Sequence, residues 1–142
     1  MTRPATSEAR TENQLLFLPG VFNETLSLLF DAHHYFQSRG AEEQASIAPD
    51  KRLFYSSEMS RVTMRLTSVM AWIMVRRAVY AGNIDEQKAN DDYRLDGQEI
   101  YQVDDPELLA EMPYYLNYLS SRSLSLYERI LRLDQVAYGP KH

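Results

Sequence analysis

One stretch of roughly 30 residues, from Asp50 to Ala81, contains neither proline nor glycine, and it constrains the fold more than any other part of the sequence. Apolar residues recur in it at alternating steps of four and three, the spacing of one buried stripe on a helix in a bundle. The stripe comprises Tyr55, Met59, Val62, Leu66, Val69 and Ile73. Gly82 and Asn83 then supply a stop signal. The stretch therefore predicts one long helix.

Two further helices are predicted on either side of this one. The first has a stripe at alternating spacing and ends near Gly40, a residue typical of the position after a helix. Its stripe comprises Phe22, Leu26, Leu29, His33 and Phe36. The third begins at Asp105-Pro106-Glu107, which places Asp at the cap, Pro at the first helical position and Glu in the first turn. Its stripe comprises Leu109, Met112, Leu116, Leu119, Ser123, Leu126, Ile130, Leu133 and Ala137.

Proline and glycine mark the limits of the third helix. Pro113 lacks an N–H, so it is expected either to kink the helix or to split a first turn from the main rod. Gly139 is expected to end the helix. The segment between the second and third helices is acidic and includes a short helix over residues 85–92.

A chain of 142 residues favours a single domain. No stretch shows the period-two alternation of a strand. The predicted fold is therefore all-α, an antiparallel three-helix bundle with two long helices. We expect a flexible N-terminal arm over residues 1–14, the bundle over residues 15–138 and a short tail over residues 139–142.

The second half of the long helix is apolar on the side opposite its stripe as well. The residues on that side include Ala71, Trp72, Val75 and Val79. A helix that is apolar on both sides must bury both, and a domain of this size offers neighbours for one side only. We therefore predict that these four residues form a homodimer interface.

Composition narrows the classes of partner. The net charge is −5 and the isoelectric point is near 5.2, whereas proteins that bind nucleic acid usually carry a basic excess. The sequence has no cysteine, which excludes disulfides and thiolate metal sites and is typical of a cytoplasmic protein. No apolar run is long enough to span a membrane. We expect no nucleic-acid partner and no membrane-spanning helix.

The residue patterns of the common catalytic and metal sites are missing. The adjacent pair His33 and His34 points in directions about 100° apart on a helix, and neither residue has a His or carboxylate four residues away. Glu-x-x-His, Gly-x-Ser-x-Gly and the glycine-rich phosphate loops do not occur. We therefore predict no catalytic residue, no metal and no cofactor.

Two groups of residues are candidates for partner binding. One joins the arginines of the long helix to tyrosines of the third, and comprises Arg61, Arg65, Tyr114, Tyr115 and Tyr118. The other is the acidic pair Asp91 and Asp92, in a segment (residues 83–111) with ten acidic residues and only Lys88 and Arg94 as cations. Charge complementarity and tyrosine enrichment are typical of protein interfaces. Two alternatives stay open, because the arginines could instead pair with the acidic segment and the tyrosines could fill bundle edges.

Three runs of the sequence resemble the bacterial RcdA family, regulators of CtrA degradation: Glu58–Thr67, Met70–Val79 and Asp92–Leu95. The resemblance covers roughly residues 20–137. It implies a small, dimeric helical bundle that acts as an adaptor in cell-cycle control and helps the ClpXP protease receive its substrates. The partners it implies are the protease complex, other adaptors and substrates. The alternative is a small helical enzyme or another protein-interaction module.

Overall fold

The computed structural model describes the backbone of residues 7–95 and 101–139, with side chains from Phe17 onward. These residues are all-α, as predicted, and form six α-helices rather than three. The helices are α1 (Ser7–Ser38), α2 (Gly40–Ser46), α3 (Arg52–Tyr80), α4 (Glu86–Asp92), α5 (Pro106–Ala110) and α6 (Tyr114–Tyr138), and a 3₁₀ turn (Pro49–Lys51) precedes α3. In this part of the chain, no helix combines the length and hydropathy of a membrane span.

Helix α1 begins earlier than the sequence predicts. It starts at Ser7, within the predicted arm, and continues through Pro19 and Gly20. Leu18 and Val21 on either side of that pair are buried in the core. Tertiary packing therefore supports a helix that local propensity opposes at these positions. Residues 1–6 of the predicted arm and 140–142 of the predicted tail lie outside the described residues.

The buried face of α1 also differs from its predicted stripe. The core side chains are Leu18, Val21, Thr25, Leu28, Ala32 and Tyr35. Leu26 and His33 of the predicted stripe are exposed. The other three residues of that stripe, Phe22, Leu29 and Phe36, are half-buried. The observed face includes small residues, and the Thr25 hydroxyl donates a hydrogen bond to the Val21 carbonyl oxygen at 2.7 Å. A satisfied hydroxyl can be buried at low cost, so this face serves as well as a more apolar one.

The stripe of α3 is confirmed. Tyr55, Val62, Leu66, Val69 and Ile73 are completely buried, and Met59 is half-buried. The predicted stop signal is also confirmed. Gly82 has a φ of +79°, and its amide donates to the Val79 carbonyl oxygen at 3.0 Å. Glycine adopts this left-handed conformation without steric cost.

The helix start predicted at Asp105 and the short helix predicted over residues 85–92 both form. The Asp85 carboxylate caps α4 by accepting from the Lys88 amide at 2.7 Å, and Asp105 caps α5 by accepting from the Leu108 amide at 3.0 Å. Pro113 is the N-cap of α6. We predicted that this proline would either kink the third helix or split it. The structure shows the split, into the short helix α5 and the long helix α6.

Helices α3 and α6 run parallel, so the antiparallel prediction is wrong for this pair. Contacts between them rise together in residue number. Glu58 contacts Ser120, Arg65 contacts Ser123, Trp72 contacts Asp134 and Arg76 contacts Tyr138. A parallel pair requires a long crossover, and the residues between Ala81 and Pro113 provide it. Helix α1 is antiparallel to both, since Phe22 contacts Arg77 and Asp31 lies in one groove with Tyr115.

We expect substitutions on α1 to follow the observed face and not the sequence stripe. Leu28→Ala removes a side chain that is 4% exposed and should lower the free energy of unfolding by about 2 to 5 kcal/mol. Leu26→Ala, at a side chain that is 37% exposed, should cost less than about 1 kcal/mol. Urea denaturation of both variants measures the difference. Equal losses would contradict the assigned face.

Candidate functional site

The segment between α4 and α6 returns along α3 and is held there by its acidic residues. Arg61 donates to the Asp104 carboxylate, and Lys51 pairs with Glu111 at 3.1 Å. Residue numbers fall along the segment as they rise along α3, so the segment runs antiparallel to the helix. The sequence left open whether the arginines of α3 pair with the acidic segment, and Arg61 does so.

A buried network of charged and hydroxyl groups joins α3, α6 and this return segment. The Arg65 and Glu58 side chains are completely buried, with Nη2 of Arg65 3.4 Å from Oε2 of Glu58. Nε of Arg65 donates to the Tyr101 carbonyl oxygen at 2.6 Å, and Nη1 donates to the Ser123 hydroxyl at 3.2 Å. The Ser120 hydroxyl donates to Glu58 at 3.1 Å. Burial lowers the pKa of Arg65, and the adjacent Glu58 carboxylate opposes that shift.

This network corrects one predicted partner contact. Arg65 was predicted to lie on a partner surface with Arg61, but none of its side chain reaches solvent. The reason is the chain of polar acceptors from Glu58, Tyr101 and the two serines, which lets a guanidinium enter the core. Helical spacing alone places Arg65 away from the stripe and contains no sign of these acceptors.

A second polar cluster buries Trp72, which was predicted to lie in the dimer interface. Its indole Nε1 donates to Oδ1 of Asp134 at 3.0 Å, and the Arg94 guanidinium pairs with Oδ2 of the same carboxylate at 3.0 Å. The indole is 3% exposed, so it is not available to a second subunit. Arg76 lies over the Trp72 ring at 5.1 Å and over the Tyr138 ring at 4.6 Å. Burial lowers the pKa of Arg76, against the attraction of Asp134.

A groove beside this cluster contains several of the remaining predicted residues. Its volume is about 440 Å³, and it is lined from α3 by Met64, Ser68, Ala71, Trp72 and Val75, from the end of α4 and the chain after it by Asp92 to Leu95, and from α6 by Tyr127. Ala71 is exposed, whereas Val75 and Val79 are half-buried. The Asp92 carboxylate pairs with Lys88, and Asp91 accepts from the Gln87 amide at 2.9 Å. The structure thus brings Asp92 next to Ala71 and Val75.

The three predicted tyrosines lie together at the start of α6, and we call them the tyrosine surface. Tyr114 is 83% exposed and Tyr118 is partly exposed. The Tyr115 ring lies between Tyr118, with centroids 5.5 Å apart, and Tyr35 of α1, at 4.8 Å. Burial and the nearby Asp31 carboxylate raise the pKa of Tyr115. Both sequence interpretations of these residues therefore apply, since Tyr115 fills a bundle edge while Tyr114 faces solvent.

An apolar outer face on α1 and α3 was missed by the sequence reasoning. Phe30 is 67% exposed, Met74 is 55% exposed and Leu26 is 37% exposed. The contact of Phe22 with Arg77 fixes the level of the two antiparallel helices. Leu26, four residues after Phe22, therefore lies within about one residue of the level of Met74, three residues before Arg77. We call Leu26, Phe30 and Met74 the α1–α3 face. Phe30 was the available signal, because it lies outside the predicted stripe.

Neither of the two described histidines, His33 and His34, belongs to a cluster with metal-binding geometry. His33 and His34 are both exposed, although His33 was predicted to lie in the apolar stripe. The described residues contain no group of three or more His, Cys, Asp or Glu side chains arranged to hold a metal ion.

Comparisons with known proteins place the chain among relatives. The model of the family described as "Protein of unknown function (DUF1465)" matches residues 11–142. The crystal structure of RcdA from Caulobacter crescentus CB15 is similar, with a TM-score of 0.69 and 26% sequence identity over 87% of this chain and 92% of that one. The resemblance to the RcdA family is thereby confirmed. No curated protein matches the sequence.

We expect the Glu58–Arg65 pair to be strongly coupled. Arg65→Met removes the buried guanidinium beside the Glu58 carboxylate and leaves only Arg61, at 3.9 Å, as a cation near it. It should lower the free energy of unfolding by about 3 to 5 kcal/mol. The double variant Glu58→Met/Arg65→Met removes both charges and should be less destabilised than the single variant. Denaturation of the two single variants, the double variant and the unchanged protein forms a double-mutant cycle. Additive losses would show that the pair is not coupled.

Proposed function

This chain belongs to the family described as "Protein of unknown function (DUF1465)", and on that premise we propose that it is a non-enzymatic adaptor for the ClpXP protease in bacterial cell-cycle control. The observation that carries the proposal is the likeness to RcdA along nearly the whole of both chains. The partners of such an adaptor are the protease complex, other adaptors and substrates. It acts in the cytoplasm, where the protease and its substrates meet.

The described surface supports a role in protein binding. Large apolar or aromatic side chains are exposed at two separate places, the tyrosine surface and the α1–α3 face. Contiguous exposed apolar groups on a folded domain are typical of interaction sites. Tyrosine adds rigid contact area that costs little conformational entropy when a partner binds. An adaptor that forms a dimer needs at least two such surfaces, one for the second subunit and one for a partner.

We further propose that the chain is a homodimer and that the α1–α3 face, together with Ala71, forms its interface. The proposed interface retains Ala71, which is exposed, from the four residues predicted from the sequence. Trp72 is excluded by its burial, and Val75 and Val79 are half-buried. Phe30 and Met74 supply the large side chains that a second subunit could bury, at about 1.5 to 3 kcal/mol each.

The adaptor proposal is tested by trapping substrates in cells with a proteolytically inactive ClpP. We expect a subset of trapped proteins to disappear when the gene for this chain is deleted and to return when it is restored. Restoration with Tyr114→Ala/Tyr118→Ala should recover about tenfold less of that subset, since aromatic anchors often contribute more than 1 kcal/mol each. Val136→Ala, at an exposed apolar residue far along α6, is the matched control. An identical trapped set with and without the chain would refute the adaptor role.

The dimer proposal is tested by sedimentation velocity over a range of concentrations. Phe30→Glu or Met74→Glu should raise the dimer dissociation constant by about tenfold or more, because a charge replaces a buried apolar group. Leu53→Glu is the matched control, since Leu53 is 78% exposed and lies away from the face. A sedimentation coefficient that is unchanged by both substitutions on the face would rule out this interface.

A further inference from the structure

A small groove lies between α1 and the tyrosine surface. Its volume is about 290 Å³, and it is lined by Asp31, His34, Tyr35, Ser38, Arg39 and Tyr115. The Tyr35 hydroxyl is engaged with Glu43 and lies 3.1 Å from the Tyr55 hydroxyl, so Tyr35 adds a fixed ring to the wall. The aromatic wall continues outward through Tyr115 and Tyr118. The groove is at the lower limit of small-molecule sites and fits one or two side chains.

The two ends of this groove carry opposite charges that have no partner among the described residues. On the same side of α1, Glu24 is paired with Arg129 at 2.7 Å and with Arg122 at 3.8 Å. Seven residues further on, α6 presents Tyr115 and not a cation to Asp31, and no described ion pair includes that carboxylate. At the other end, the exposed Arg39 guanidinium likewise pairs with no described carboxylate. The groove therefore has a negative end, an aromatic middle and a positive end.

The spacing of the two charges matches an extended peptide. Asp31 and Arg39 are eight residues apart, which is about 12 Å along a helix. In an extended chain every second side chain points the same way, and positions i and i+4 are about 13 Å apart. Positions i, i+2 and i+4 of such a peptide can therefore face Asp31, Tyr115 and Arg39 together.

From this geometry we propose that the groove binds an extended segment of a partner protein with the pattern basic-x-apolar-x-acidic. The basic side chain pairs with Asp31, the apolar side chain packs on Tyr115, and the acidic side chain pairs with Arg39. The direction of the segment follows from the order of the charges. The inference rests on the proposed function for the identity of the partner as a protein delivered or held by the adaptor, but peptide binding itself can be measured without the protease.

The proposal is tested by fluorescence anisotropy with two labelled peptides, Ac-Gly-Lys-Ser-Leu-Ser-Glu-Gly and its charge-reversed counterpart Ac-Gly-Glu-Ser-Leu-Ser-Lys-Gly. The purified chain should bind the first peptide more tightly. The variant Asp31→Arg/Arg39→Asp should reverse that preference, and each pair contributes up to about fivefold in affinity. The variant Tyr115→Leu, which keeps Asp31 and Arg39, should bind the first peptide more weakly than the unchanged protein does. Both peptides are amidated at the C-terminal glycine, so no terminal charge lies beside the tested side chains and the side chains decide the order of affinity.

A charge exchange elsewhere is the matched control. Lys51→Glu/Glu111→Lys exchanges an exposed ion pair outside the groove and should leave the peptide preference unchanged. Circular dichroism melting of each variant confirms that the helices remain folded. Equal affinity for the two peptides, absence of binding at millimolar peptide or a preference that the Asp31/Arg39 exchange does not reverse would overturn the proposal. Because the protease is absent, these outcomes leave the trapping experiment as a separate test of the adaptor role.

Discussion

The buried pairing of Arg65 with Glu58 is the interaction on which the arrangement of the long helices depends. One guanidinium binds a carboxylate of its own helix, the Tyr101 carbonyl oxygen and the Ser123 hydroxyl of α6. A buried charge is costly unless its hydrogen bonds are satisfied, so these acceptors must stay in place together. The network therefore fixes the register of α3 against α6 and holds the return segment against both. It explains why two parallel helices can be joined by a long acidic crossover without losing a defined packing.

The crossover also decides which surfaces stay free. It covers the flank of α3 that carries Arg61, where Asp104 neutralises the guanidinium. On the opposite flank, α1 packs against α3 and leaves Phe30 and Met74 facing solvent. The acidic residues thus act mainly within the chain, whereas the exposed apolar groups lie where the crossover does not reach. The covered and the exposed surfaces are separated because the single long crossover lies on one side of α3.

The sequence predicted the elements better than their arrangement. The stripe of α3, the cap at Asp105 and the short helix α4 depend on residues close in sequence, and these were predicted. The parallel pair, the position of Arg65 and the buried face of α1 depend on contacts between residues far apart, which periodicity does not contain. Trp72 is the clearest case, because its polar partner Asp134 lies 62 residues away. The residues of the tyrosine surface were predicted, but the groove that Tyr115 lines with Asp31 and Arg39 depends on the packing of α1 against α6.

The α1–α3 face and the groove at Asp31 lie on different sides of α1, so an adaptor could use both at once. On a helix of 100° per residue, Phe30 and Asp31 are adjacent in sequence but point about 100° apart. A second subunit bound to Phe30 therefore leaves the groove at Asp31 open. A dimer would then present two equivalent grooves, and a partner with two suitable segments would bind through both. Linked binding of this kind can exceed the affinity of either groove by about 100-fold or more without any new contact. Weak individual recognition is thus compatible with firm capture, provided that the dimer remains intact.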